Sequence, residues 1–173
     1  MKPFEIVMLK LVDALEDLPF GRLMEVYEEG NRENGAESYP HLSANLQLLE
    51  AEQDFYAYLK TFFRQEKAVY ALWYEEDFLV SALRVEPYED GYLISALETK
   101  PDCRNKGYGK KLLGEVCKCF GDLPIYSHIS RNNTPSRKVH FACGFLEILP
   151  YSRYLDGTVN DYCKTYCYRK EAL

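Results

Sequence analysis

Nowhere does this 173-residue sequence carry an apolar run of about 18 residues, the length a helix needs to cross a bilayer. The early apolar stretch MKPFEIVMLKLVDALEDL is interrupted by Lys10 and Asp13, and no small-residue cleavage site follows. It is expected to form a first strand and helix rather than a secretory signal, and no membrane partner is expected. Also missing is any excess of cations: Lys and Arg number 21 against 27 Asp and Glu, a net charge of −6. Phosphate contacts need clustered positive charge, so nucleic acid is not an expected partner. The six cysteines (Cys103, Cys117, Cys119, Cys143, Cys163 and Cys167) include no Cys-x-x-Cys pair, so no metal site is expected. They read as free, mostly buried thiols in a reducing cytoplasm. No internal repeat or low-complexity segment interrupts the chain. Its length and its 47% hydrophobic content suit one globular domain over residues 1–173.

What is present is a change of period along the chain. Residues 4–11 read as a strand. Residues 13–30 read as a helix with Leu15, Leu18, Leu23 and Val26 on its apolar side, broken or kinked at Pro19-Phe20-Gly21. Residues 31–42, NRENGAESYPHL, read as a loop by composition. Ser43 is placed to cap a helix running to about Arg64. Strands then follow at 68–74, 78–85 and 91–99, the first two joined by the acidic turn Glu75-Glu76-Asp77. A helix is expected from about Gly107 to Phe120, a strand at 124–129, a helix at about 133–142, and strands at 145–150 and 162–169. Antiparallel strands followed by a strand–helix–strand unit make a mixed α/β layout.

The segment ETKPDCRNKGYGKKLL, residues 98–113, carries the chemistry. A strand ends near Thr99 and a helix starts at the second glycine. Arg104, Lys106, Lys110 and Lys111 cluster there in an otherwise acidic chain. Lys110 and Lys111 fall in the first helical turn, where the macrodipole disfavours cations unless an anion is bound. Gly107 and Gly109 let the backbone turn its N–H groups toward a ligand and approach it closely. The segment fits neither Walker A, because Lys111 stands where a hydroxyl is needed, nor the dinucleotide fingerprint, because Leu112 stands at the third glycine.

Arg104-Asn105-Lys106-Gly107-Tyr108-Gly109 resembles the Arg/Gln-x-x-Gly-x-Gly/Ala loop of the GNAT superfamily of N-acetyltransferases. The preceding Leu97-Glu98-Thr99-Lys100-Pro101 is similar to that family's strand end. NTPSRKVHFACGF, residues 133–145, resembles its second signature, with Asn133 (or Asn132) first, Ser136 second, His140 where the family has tyrosine, and Gly144-Phe145 at the end. The resemblance covers residues 68–149 and is weak before them. It implies a GNAT-like α+β fold, a mixed and mostly antiparallel sheet of about six to seven strands flanked by about four helices. It implies acetyl-coenzyme A as co-substrate, with the pyrophosphate on the loop amides and the pantetheine arm along the strand. The coenzyme-binding residues implied are Leu97, Glu98, Thr99, Arg104, Asn105, Lys106, Gly107, Tyr108, Gly109, Lys110, Asn133 and Ser136. Residues 68–149 would form the coenzyme-binding core and helices within 13–65 the acceptor site.

Acetyl transfer needs a base for the amine, an N–H donor for the thioester carbonyl and an acid for the departing thiolate. The resemblance implies a splayed strand pair that exposes this amide, near Leu97–Thr99 and opposite residues 124–129. It also implies an acid at the position held here by His140, with Tyr126 on the neighbouring strand as a substitute. Glu98 is the nearest carboxylate and the candidate base. Tyr39, His41, Glu147 and Asp156 are further candidates for an acceptor site, with nothing in the sequence to place them. The expected function is transfer of acetyl from acetyl-coenzyme A to an amine of a small molecule, peptide or protein, by a cytoplasmic monomer or homodimer. The alternatives are a non-catalytic acyl-coenzyme A sensor or partner domain of the same fold, and an interaction domain whose cationic loop binds another anion.

Overall fold

The computed structural model describes residues 8–171. Strand β1 (Leu9–Val12) leads through a single 3-10 turn at Leu15–Asp17 to helices α1 (Phe20–Val26), α2 (Glu28–Ser38) and α3 (Ala44–Phe62). Strands β2 (Val69–Glu75), β3 (Phe78–Tyr88) and β4 (Gly91–Thr99) follow, then α4 (Tyr108–Phe120), β5 (Ile125–Ser130) and α5 (Thr134–Ala142). The chain closes with β6 (Leu146–Leu149), a small hairpin of β7 (Ser152–Arg153) and β8 (Val159–Asn160), and β9 (Cys163–Tyr168). The main sheet has seven strands in the order β1-β2-β3-β4-β5-β9-β6. Every neighbouring pair is antiparallel except β4 and β5, which are parallel.

Alternation along β2 explains why the sheet is covered on both faces. Ala71 and Trp73 face a cluster that includes Leu83, Val85 and, from α4, Leu112, Leu113 and Val116. Tyr70 and Leu72 face the other way, onto Leu23, Met24 and Val26 of α1 and Leu59 and Phe62 of α3. The sheet thus separates an α4 side from an α1–α3 side.

Three expectations change. The strand expected at 4–11 begins at Leu9; residues 4–7 lie outside the described residues. The helix expected over 13–30, with its break at Pro19-Phe20-Gly21, is three pieces, the 3-10 turn, α1 and the start of α2: Pro19 caps α1, and a second break falls at Tyr27. Most of the loop expected at 31–42 is helical. The reason is close packing rather than an apolar stripe. The residues that α2 buries are Asn31 and Gly35, and a Cβ at Gly35 would lie only 2.3 Å from the Gln47 carbonyl oxygen of α3. Glycine there permits two helices to touch, which composition alone disguises as a turn. The β7–β8 hairpin was also not anticipated; its strands are only two residues each, too short to show a period.

Candidate active site

The site begins where β4 and β5 part. Tyr92, Leu93 and Ile94 pair with Ile125, Tyr126 and Ser127, and pairing stops there. The β3–β4 register also shifts between Ala82 and Arg84, and Ala96 adopts a left-handed φ of 54°. This bulge turns the end of β4 away from β5. Beyond it, β4 stays paired with β3 through Ser81–Thr99 and Ala82–Glu98, so its other edge at residues 97–99 opens into a wedge. Ser81 Oγ donates to the Glu98 carbonyl at 2.7 Å, and the Tyr27 hydroxyl donates to the Ala96 carbonyl, which fixes the bulge from both neighbours.

The loop after β4 contains two left-handed residues, Asn105 (φ 62°) and Gly107 (φ 80°). Gly107 caps α4, no side chain caps that helix, and its first turn holds no acid. The amides of residues 108–110 therefore lack a side-chain cap and form a partial positive charge at the helix start. The two glycines serve different ends. Gly107 has open space where a Cβ would stand, so its left-handed φ is what requires glycine. At Gly109 a Cβ would sit 3.3 Å from Thr99 Oγ1, so small size lets α4 approach the end of β4.

On the other wall, Asn133 Oδ1 accepts from the Ser136 amide at 3.1 Å and caps α5. A groove of about 740 Å³ runs between these walls. It is lined by Leu97, Glu98, Thr99, Arg104, Asn105, Gly107, Tyr108, Gly109, Lys110, Asn133 and Ser136, together with Lys138 and Val139. Lys106 is the one expected coenzyme residue outside the lining. Arg104 is in the groove but engaged: it pairs with Glu29 at 2.9 Å and Glu98 at 3.6 Å, and its Nε donates to the Thr99 carbonyl. Lys110, by contrast, pairs with no carboxylate among the described residues.

The three candidate catalytic residues separate. Tyr126 lines neither the groove nor the spaces that adjoin it: its ring packs on Tyr88, and its hydroxyl donates to Asp90 and accepts from Arg169. Burial, aided by that Asp90 contact, pushes the phenol up to about 12. His140 is 2% exposed. Its Nδ1 lies 2.8 Å from the Ser136 carbonyl, which can only accept, so that nitrogen carries the proton. Nε2, 3.0 Å from Ser127 Oγ, is then the acceptor of the serine hydroxyl. Burial holds the imidazole below its usual pKa, so it is neutral near pH 7 with its proton committed to the backbone. It lines a narrower cavity of about 190 Å³ between β4 and β5 rather than the groove.

Glu98 is different. It lines the groove, that inter-strand cavity, and a third cavity of about 310 Å³ on the α1–α3 side formed with Tyr27, Asn31, Phe55, Tyr58 and Arg84. Partial burial raises its pKa; Arg104 works against that, and Glu29 and Glu33 reinforce it. A carboxylate poised in this way, where three spaces meet, suits proton abstraction.

Tyr39, His41, Glu147 and Asp156 line none of these cavities. Tyr39 donates to Asp54, Glu147 pairs with Lys164, and Asp156 accepts from the Thr158 amide. Sequence reasoning missed Tyr27, Ser127 and Arg84. Tyr27 and Ser127 carry no local signal. Arg84 gave a faint one, as the lone cation in the apolar strand FLVSALRV. Among the described residues no group of three or more His, Cys, Asp or Glu could hold a metal ion, all six cysteines are unpaired, and no helix is long and apolar enough to cross a membrane.

No curated protein sequence is significantly similar to the chain. Solved structures are. A PaiA N-acetyltransferase from Thermoplasma acidophilum, solved with coenzyme A, is 15% identical with a TM-score of 0.62, over 94% of this chain and 99% of that one. The ribosomal-protein-S18-alanine N-acetyltransferase of Escherichia coli is 14% identical with a TM-score of 0.59, over 95% and 97%. A Bacillus anthracis protein solved with acetyl coenzyme A is 11% identical with a TM-score of 0.51, over 65% and 68%. At these identities the likeness shows the fold. The family model of the acetyltransferase (GNAT) family matches residues 22–145, which span both the splayed strands and the glycine loop, and the chain belongs to that family.

Proposed function

We propose that this chain is an N-acetyltransferase that moves the acetyl group of acetyl-coenzyme A to a primary amine. One observation carries the reading: Glu98 sits where the groove beside the uncapped helix meets a separate cavity on the other side of the sheet. Two substrates entering from opposite sides would meet at one carboxylate, which is the arrangement a direct transfer needs.

The residues present fit the coenzyme. The uncapped amides of residues 108–110 and the unpaired Lys110 would hold a pyrophosphate. The unpaired edge of β4 at residues 97–99 would bond the pantetheine arm as an added strand. An amide on that edge would donate to the thioester oxygen as negative charge grows there. Glu98 would take the proton of the ammonium, directly or through a water, so that nitrogen attacks as the neutral amine. His140 would act as a positioning residue rather than as the expected acid: the Ser136 carbonyl holds its proton within α5, and its bond to Ser127 ties α5 to β5. Residues 1–173 would act as one domain, and the six unpaired cysteines support a cytoplasmic setting.

A second reading, an acyl-coenzyme A sensor of the same fold, draws on the buried, committed His140 at the family's tyrosine position. The test is coenzyme A release against amines, amino acids and peptides, with coenzyme affinity measured in parallel. Glu98→Gln is expected to lower kcat about 100- to 10,000-fold while coenzyme affinity holds. Wild-type turnover in that variant removes Glu98 as base. Tight coenzyme binding with no release on any acceptor favours the sensor.

A further inference from the structure

The third cavity has a feature that an amine site alone does not require. Arg84 of β3 projects to the α1–α3 side, where its guanidinium stands 4.5 Å from the Tyr58 ring centroid and 5.9 Å from that of Phe62. Contact with those ring faces uses none of its five N–H donors. Among the described residues no carboxylate lies within ion-pair distance of it, and its Nε is buried without a hydrogen-bond partner. A partly buried cation normally has an anion or carbonyl beside it, because a desolvated, unpaired donor is costly. Arg84 and Glu98 line the same cavity without touching, since Glu98 pairs with Arg104 instead. Register explains the gap. Glu98 lies opposite Ala82, and Arg84 is two residues further along β3 on the same face.

We infer that the acceptor is a zwitterion, a free amino acid whose ammonium faces Glu98 while its carboxylate is gripped by Arg84, with an apolar side chain against Phe55 and Tyr58. The guanidinium fork matches a carboxylate in geometry as well as charge. The lining holds one acid and one cation, so it is balanced for a ligand bearing one charge of each sign. A polyamine fits worse, because its second ammonium would meet Arg84. Among the acids of α2, Glu28 and Glu29 are engaged by Arg32 and Arg104, and Glu33 and Glu37 do not line the cavity. The inference rests on the transferase reading for the role of Glu98 but has a readout of its own.

The test uses the full chain saturated with coenzyme A and matched probes: L-phenylalanine against phenethylamine, L-methionine against its methyl ester, and spermidine. Binding is measured by calorimetry, and coenzyme A release is measured with acetyl-coenzyme A. The carboxylate-bearing member of each pair is expected to bind about 10- to 100-fold more tightly, a span set by a charge-assisted bidentate pair. Arg84→Met should erase that preference while coenzyme affinity stays, because the coenzyme groove lies on the other side of β4. Arg84→Lys is the second variant and should keep part of the preference. Equal binding within the wild-type pairs, a preference that survives Arg84→Met, or spermidine as the best ligand overturns the inference. A carboxylate preference without acetyl transfer leaves Arg84 in its role and removes the transferase reading instead.

Discussion

The two sides of β4 are built from different materials. The groove side, where the coenzyme is proposed to bind, is largely backbone: an unpaired strand edge, two left-handed residues and a helix start without a side-chain cap, all within residues 97–110. The opposite side, proposed for the acceptor, is side chain: Tyr27 from the α1–α2 junction, Phe55 and Tyr58 from α3, Arg84 from β3 and Glu98 from β4. A site made of amides needs residues that shape the chain, so it writes glycines at fixed spacing. A site made of side chains needs only proximity, which the fold supplies and local sequence does not record.

The contrast can be broken from either side. After the loss of turnover at Glu98→Gln, the largest effect is expected at Gly107→Val. A β-branched residue at a φ of 80° is strained, and relieving that strain turns the amides away from the groove. Strain of about 1–3 kcal/mol, relieved only when the coenzyme-binding shape is abandoned, corresponds to roughly a 10- to 100-fold loss of coenzyme affinity. Calorimetry with acetyl-coenzyme A checks this, and unchanged affinity refutes the backbone account of that side.

Next in size is His140→Phe, which probes the seam between the two sides. Ser127 loses the acceptor of its buried hydroxyl, so stability should fall by about 1–3 kcal/mol in a denaturant titration, with turnover changed far less. The pH dependence has a definite sign. Burial depresses the folded pKa of His140, so the unfolded chain takes up its proton first as pH falls. This contribution is intact above about pH 6.5 and is lost below it. The variant should therefore lose less stability than wild type on going from pH 7 to pH 5. An equal loss contradicts the buried neutral assignment.

The smallest effect is a shift of profile. Arg104 holds down the pKa of Glu98 against its burial. Arg104→Gln should move the acid limb of kcat/KM to higher pH, since the base must be ionised to act. A limb that stays in place, or moves to lower pH, detaches Arg104 from the proposed base.

The same contrast explains what could be read from sequence. The strands from β2 to β5 and the helices α3, α4 and α5 follow from period and turn residues, although Ser43 makes no side-chain cap on α3, and nearly the whole groove lining follows from the resemblance to two family signatures. Helix α2 was hidden because its tight contact uses Asn31 and Gly35, residues whose usual meaning is a turn. The resemblance puts His140 at the family's acid position, with Tyr126 as its substitute. Position in a helix or strand does not tell that Ser136 and Ser127 occupy one ring, or that Asp90 holds the other hydroxyl away from the groove. Arg84 stood in plain view in β3, but its lack of a partner is a property of the folded molecule.

The central claim is that one carboxylate joins two sites of opposite construction. A crystal structure of the chain with coenzyme A tests it most directly. The account predicts pyrophosphate oxygens about 3 Å from the amides at the start of α4 and the thiol in the wedge between β4 and β5, beside Glu98. A coenzyme bound elsewhere, or a thiol pointing away from Glu98, would contradict it.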